Sequence, residues 1–346
     1  WQLTDSVSVV RGKHSMKFGV DFSRISTDQA FGFNQFGTFN TNLSNALTVA
    51  QLLGGNGTNG GNRFDNPSVI YDRQIGNLVA DFGLTQLAFF GQNSIRVNNR
   101  LSLDFGLRWE GQYNPTPEAN NTALVDRVRN ANFVLGSKLD PTTMKDATNQ
   151  IMPRFGFAWT PSSSRRTVVR GHTGIFYAAT PLLVFSGGTN NFRTPPGDVS
   201  IRIGGDTTRP SIYNVFQQVG VNLNSASLSS LPVIPVETVQ RAAQIWLGGG
   251  ASPDPFNGAS LTLNASDFQN PRSVQAGVGV DTEVFRNFIA GVQVNYVNTV
   301  HLLRNRNYNL GAPFINPADA SQRPLFTGRQ RVGVSTLSQI TARESS

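Results

Sequence analysis

The sequence predicts an all-β, antiparallel fold, and three observations predict it. Apolar and polar residues alternate with a period of two over long stretches. These stretches come in pairs joined by tiny turns. Tens of residues separate one pair from the next. A period of two places successive side chains on opposite faces of an extended chain, so each stretch has one apolar and one polar face.

The first pair spans residues 3–25. Leu3, Val7 and Val9 share the parity of Trp1. Beyond the turn Arg11–His14, Met16, Phe18, Val20 and Phe22 alternate with Lys17, Gly19, Asp21 and Ser23. Residues 29–83 read as a loop with structure of its own. It holds an extended segment in FGFNQFGTFNTN, a helix over Ser44–Leu53 with Ser44 as N-cap and Gly54 past its end, and a Gly/Asn-rich run. The glycines are not a phosphate loop, because no Gly-Lys-Ser/Thr follows them.

The second pair, 86–110, is the most regular. Leu101, Leu103, Phe105, Leu107 and Trp109 share one parity; Ser102, Asp104, Gly106, Arg108 and Glu110 share the other. Its first arm sets Leu87, Phe89, Ile95 and Val97 against Ala88, Gln92, Ser94 and Arg96. Asn98-Asn99 lies between the arms, residues that tolerate the left-handed conformations of a tight turn. Residues 111–150 read as a loop rich in Asn, Pro and Thr. In the third pair, 151–177, Phe155, Phe157 and Trp159 oppose Arg154, Gly156 and Ala158. The return arm sets Val169, Ile175 and Tyr177 against Arg170 and His172.

Residues 178–271 are too long for an ordinary loop. They hold a helix over Val236–Leu247, opened by Pro235 and closed by three glycines, with Ile245 and Trp246 packing the insertion on itself. In the fourth pair, 273–298, Val274, Ala276, Val278 and Val280 alternate with Gln275, Gly277, Gly279 and Asp281. Phe288, Ala290, Val292, Val294 and Tyr296 alternate with Gly291, Gln293 and Asn295. Residues 301–346 add a loop and one more strand near Val332–Ile340.

The arms are about ten residues or more, long for a soluble strand and matched to the roughly 9–11 residues of a tilted strand crossing a bilayer. Tiny turns alternating with very long connections are the pattern of short periplasmic turns and long extracellular loops. The expected fold is therefore an up-and-down outer-membrane β-barrel, one domain over 1–346 with long extracellular loops at 29–83, 111–150 and 178–271. Lys17, Asp21, Arg96, Asp104, Arg108, Glu110, Arg154, Arg170, His172, Asp281, Gln293 and Asn295 take the polar parity and are expected to face the lumen. Trp1, Phe89, Trp109, Tyr177 and Tyr296 on the apolar parity form an outer aromatic girdle, and Trp159 and Phe288 beside the short turns an inner one. Eight strands close only a barrel narrow enough to be filled by side chains. The polar parity mixes glycines with charges instead, so the expectation is an open, incomplete barrel segment of about eight to ten strands with unpaired first and last strands.

Composition excludes other classes. Charged residues are 14% and hydrophobic ones 38%, with 34 Gly and 24 Phe. No run approaches about 18 apolar residues, which removes a transmembrane helix and leaves a barrel untouched. There is no cysteine, so no disulfide or thiolate metal site is possible. The net charge of +8 is scattered, and nucleic acid is not the expected partner. His14, His172 and His301 lie far apart, without metal-ligand spacing, and no G-x-S-x-G motif occurs. The carboxylates Asp21, Asp104, Glu110 and Asp281 are balanced by cations on the same faces and read as an ion-pair lattice rather than a glycosidase pair. No catalytic, cofactor or metal residue is expected, and the chain is not read as an enzyme. Two alternatives remain: a soluble or surface-exposed β protein for carbohydrate binding or adhesion, and a small porin-like barrel. The chain starts at Trp1 with no signal peptide and ends in ARESS, and reads as a piece of a longer one.

Three stretches, FFGQNSIRVNNRLSLDFGLRWE, IMPRFGFAWTPSSSRRTVVRGHTGIFY and VNYVNTVHLLRNRNYN, resemble the barrel of TonB-dependent receptors, in particular the Oar-like group with a carboxypeptidase-regulatory-like N-terminal domain. VVRGKHSMKFGVDFSR is similar to the same group. The resemblance covers the four hairpins and not the long loops. It implies a barrel of about 22 strands in the bacterial outer membrane. It also implies a plug domain, a TonB energy-coupling partner, outer-membrane lipid around the wall, and active uptake of a bulky substrate. The plug and the TonB box are absent here, and the strands are too few for that whole barrel.

Overall fold

In the computed structural model of the chain, residues 1–30, 34–40, 63–135, 139–162, 166–190, 197–223, 233–248, 260–326 and 339–345 are described. The strands are β1 (Gln2–Arg11), β2 (His14–Ala30), β3 (Thr38–Asn40), β4 (Ile70–Gly76), β5 (Val79–Asn98), β6 (Leu101–Tyr113), β7 (Ala147–Trp159) and β8 (Thr167–Tyr177). They continue as β9 (Asp198–Gly204), β10 (Ser260–Asn264), β11 (Arg272–Phe285), β12 (Phe288–Val300), β13 (Leu303–Asn307), β14 (Pro313–Ile315), β15 (Pro324–Phe326) and β16 (Gln339–Ser345). Eight of them form one antiparallel sheet in the order β1-β2-β5-β6-β7-β8-β11-β12, which we call the wall. β1 and β12 are its two edges and do not pair with each other, so the sheet is open.

The short turns follow from local chemistry. Gly12, at φ +59°, supplies the left-handed residue between β1 and β2. Between β5 and β6 the turn residues are Asn99-Arg100, one position later than expected, and Asn98 pairs with Leu101 beyond a bulge. Neither asparagine adopts the expected left-handed conformation. The Asn98 carboxamide oxygen instead accepts the Arg100 N–H at 2.8 Å, closing the turn through a side chain. The left-handed asparagine is Asn287, at φ 67°, between Phe285 and Phe288, whose rings stack at 4.7 Å. Of the turn expected over residues 161–165, residues 163–165 lie outside the described ones.

β2 and β5 are longer than the alternation suggested, 17 and 20 residues, and pair as far as Ala30 and Val79. The reason is an inversion of polarity. Over residues 79–85 the period of two persists, but Ala80, Phe82 and Leu84 now put apolar groups on the otherwise polar parity. All three are buried, because the connections fold back over that end of the sheet.

Those connections are not plain loops. β4 pairs with β3 and with β9, joining the insertion after β2 to the insertion after β8. β16 lies between β10 and β13. Residues 111–150, expected as loop, hold a helix over Thr122–Asn130 whose N-cap Asn121 accepts the Leu124 N–H at 3.2 Å. The helix expected over Val236–Leu247 is present as Val236–Gly248, and a shorter one, Ile212–Gln218, precedes it. One core gathers Phe64, Tyr71, Ile203, Ile212, Phe216, Val239 and Ala242; a second gathers Leu124, Val128, Phe133, Leu139, Leu261, Leu263, Tyr308 and Ala342. Together these parts form a cap at the long-connection end of the wall. The helix expected over Ser44–Leu53 lies outside the described residues, as does the strand expected near Val332–Ile340 up to Gln339, where β16 starts.

Candidate functional site: the polar face beneath the cap

Directly opposed residues of neighbouring strands share a face. Following the register from β1 to β12 therefore sorts every wall residue. Lys17 and Asp21 on β2, Arg96 on β5, Asp104, Arg108 and Glu110 on β6, and Arg154 on β7 all fall on one face. Arg170 and His172 on β8, Asp281 on β11, and Gln293 and Asn295 on β12 fall on the same one. Residues on seven strands of the wall are thus brought to one surface by pairing alone.

The Arg108 guanidinium donates to the Asp21 carboxylate across β5, and its Nε donates to Glu110 at 3.0 Å. Arg170 and Asp281 lie 3.3 Å apart. The Ser94 hydroxyl donates to Asp104, and the Gln293 amide donates to Asn295 at 2.9 Å. Arg154 stacks over the Phe176 ring at 4.6 Å. The expected lattice is therefore partial: Lys17, Arg96 and Arg154 form no ion pair with a described residue. Gly277 separates His172 from Asn295 in one row; a Cβ there would lie 2.5 Å from each and would push both side chains aside.

Toward the cap a small cavity of about 160 Å³ opens on this face, lined by Asp21, Ser23, Gln86, Arg108 and Glu110 among others. Farther up lies a cluster that sequence reasoning missed. Gln112 on β6, Gln150 on β7, Thr180 and Asn270 are all buried. The Thr180 N–H and the Asn270 amide both donate to the Gln112 carboxamide oxygen at 3.1 Å, the Thr180 hydroxyl donates to Asn270 at 2.6 Å, and Asn270 also donates to Gln150 at 3.3 Å. This uncharged clamp ties both ends of the 178–271 insertion to the wall. Scattered Gln, Thr and Asn carry no motif, so only three-dimensional pairing reveals it. Beyond the clamp, farther from the short turns, Ala80, Phe82 and Leu84 pack against Phe185.

The opposite face is apolar and bare. Phe18 is 51% exposed, Leu107 56%, Val292 75% and Val294 64%. Phe89, Trp109, Trp159, Tyr177, Phe288 and Tyr296 all lie on it, and the Trp1 carbonyl accepts the Arg24 N–H at 2.8 Å to continue the same register. Phe89 and Trp109 are paired and stack at 5.9 Å; the Trp109 indole donates to the Thr148 carbonyl at 2.8 Å. Tyr177 pairs with Arg272 and Tyr296 with Ala276, so Tyr296 stands four residues nearer the short turns. A shallow groove of about 900 Å³ also lies mostly on this face, between Phe18, Phe105, Leu107, Phe155 and Ile175. No group of three or more His, Asp or Glu among the described residues could hold a metal ion. The arrangement offers a wet, mixed-charge surface under a folded cap and a bare apolar surface behind it.

Two of the solved structures that resemble the chain are a transporter and a receptor. The outer membrane transporter YddB from Escherichia coli matches at 12% identity with a TM-score of 0.39, over 99% of this chain and 28% of that one. The siderophore receptor PirA from Pseudomonas aeruginosa matches at 8% identity with a TM-score of 0.32, over 100% of this chain and 44% of that one. The chain thus spans less than half the length of either. No curated protein matches the sequence significantly. The family model described as "Outer membrane beta barrel domain" matches residues 1–346. An antiparallel wall with one apolar and one polar face is what such a domain requires, and the chain belongs to this family of bacterial outer-membrane β-barrels.

Proposed function

We propose that the chain is a barrel segment of an outer-membrane active transporter, with the polar face lining the lumen and the cap forming the outer mouth that meets the substrate. One observation carries this reading: the twelve polar residues share the face over which the cap folds, while the apolar residues are exposed on the other. A soluble β-sandwich would bury that apolar face. In a bilayer, lipid covers it, and the aromatics on it serve as girdles. The open edges at β1 and β12 suit a wall continued by further strands. The wide, glycine-bearing polar face suits a lumen occupied by a plug. Energy for uptake then comes from the inner membrane through a TonB-type partner, as the resemblance of the four hairpins implies.

The test is uptake of a panel of bulky fluorescent solutes by cells making the full parent polypeptide. The expected result is accumulation that needs the polypeptide and stops when a protonophore dissipates the proton-motive force. Accumulation that needs the polypeptide and survives the protonophore would leave a barrel and remove the energised reading.

A further inference from the structure

Some cations of this protein form ion pairs and others do not. Arg108, Arg129, Arg170, Arg202, Arg209 and Arg323 each form an ion pair. Arg11, Lys13, Arg100, Arg166 and Arg286 are exposed and form no ion pair with a described residue, and the same holds for Arg24 and Arg154 on the wall and Lys145 and Arg241 in the cap. The first five lie in or beside the four short turns, which an up-and-down topology places along one edge of the wall. Hydrogen bonds stitch neighbouring turns into one rim. Arg96 N–H donates to the Lys13 carbonyl at 2.9 Å, Thr160 N–H to Arg100 at 2.8 Å, and Glu283 N–H to Arg166 at 2.7 Å. The Lys13 ammonium itself donates to the Val97 carbonyl at 2.8 Å. Beside the cations, exposed aromatic rings stand on the apolar face: Trp159, Phe285 and Phe288 are 46%, 62% and 48% exposed.

We propose that this rim is a docking surface for anionic phospholipid headgroups, the cations holding lipid phosphates and the aromatics seating at the headgroup level. The proposal rests on the reading of the wall as membrane-spanning. Cations at a bilayer surface bind anionic lipid at about fivefold per Lys or Arg at low salt, and amphipathic rings collect at the same interface. An acidic protein would meet the charges equally well, but it would not call for aromatics at the apolar boundary. Lipid satisfies both features.

The probe is the chain refolded into vesicles with Trp159 as its sole tryptophan, Trp1, Trp109 and Trp246 being replaced by Phe. Quenching is compared between brominated phosphatidylglycerol and brominated phosphatidylethanolamine. The expected result is stronger quenching by the anionic lipid, a preference that fades as salt rises. It is lost in K13Q/R100Q/R286Q and kept in K145Q/R241Q, which removes cap cations. The salt series on the unsubstituted rim decides if the triple variant does not fold. Equal quenching by both lipids, or a preference untouched by salt, overturns the rim proposal and leaves the wall reading intact. Displacement of the anionic lipid by soluble polyglutamate would reassign the rim to a protein partner and overturn it too. No quenching by either lipid would instead overturn the membrane reading beneath it.

Discussion

The wall and the cap are made from the same chain and solve opposite problems. In the cap, β4, β9, β10 and the helices are short and bury their apolar side chains against one another. Among the described residues, only Leu84 of the largest fully buried side chains belongs to the wall. In the wall, long strands leave Leu107, Val292, Val294 and Tyr296 exposed and pair their backbone groups with neighbouring strands over nearly their whole length, save at the open edges. The cap is built for water, with cores of its own. Away from the cap the described wall residues form no hydrophobic core cluster, as suits a sheet whose apolar face is proposed to meet lipid. The clamp of Gln112, Gln150, Thr180 and Asn270 stands at the junction, where its hydrogen bonds add to the apolar packing of Ala80, Phe82 and Leu84 against Phe185.

The largest effect that separates them is expected in the cap. Phe216 is fully buried and meets Tyr71 edge-on at 5.1 Å. Phe216→Ala should cost about 3–5 kcal/mol of cap stability. Limited proteolysis should then cut residues 178–271 faster, while circular dichroism of the wall strands stays unchanged. Loss of the wall signal together with the cap would break the comparison.

The next effect belongs to the wall. Phe105→Arg puts a charge on the apolar face and should cost roughly 2–4 kcal/mol in urea-dependent folding into vesicles. Gly106→Arg, one residue away, should cost far less. A Cβ at Gly106 meets nothing closer than 3.7 Å, so the polar face has room for the side chain. Equal costs at the two positions would sink the assignment of faces.

At the junction, Gln112→Ala leaves the Thr180 N–H and an Asn270 amide without their acceptor. An unmet buried polar group costs roughly 1–3 kcal/mol. Hydrogen exchange near Thr180 and Asn270 should quicken, and exchange in the centres of β6 and β7 should not.

These contrasts also explain what was legible in the sequence. The wall could be read because one rule, alternation, governs strands such as Leu101–Tyr113 from end to end. It stopped being legible at Val79–Leu84, where the same period continues with the polarity reversed for burial under the cap. The helix Val236–Gly248 was readable from its opening proline and closing glycines. The helix Ile212–Gln218 was too short to show periodicity, although Pro210-Ser211 before it, with Ser211 capping Asn214 at 3.3 Å, was a start signal. The pairing of β4 with β9 joins segments far apart in the chain, and nothing local announces it. The candidate site divides in the same way: the charged side chains followed from parity, and the amide clamp did not.

The smallest expected effect is a pH dependence confined to the cap. Burial pushes the Asp140 carboxyl up, but the hydroxyl and N–H of Thr142 and the Arg129 guanidinium donate to it and together hold it below its ordinary 3.8. A depressed carboxylate contributes stability that is fully present above its unfolded-state pKa and is lost as pH falls through the folded one. Cap unfolding between pH 7 and pH 3, about the range that brackets this, should show a shallow acid loss that Asp140→Asn lessens. An identical acid slope in the variant would remove Asp140 from the account.

The central claim, one sheet between two solvents, is tested most directly by single cysteines, since the chain has none of its own. Asp104→Cys, Gly106→Cys and Arg154→Cys report on the polar face; Leu107→Cys and Val292→Cys report on the apolar one. With the protein folded into vesicles, a water-soluble maleimide should label the first three quickly and leave the last two unlabelled. Equal labelling of both sets, or labelling of Leu107→Cys and Val292→Cys alone, would contradict the account.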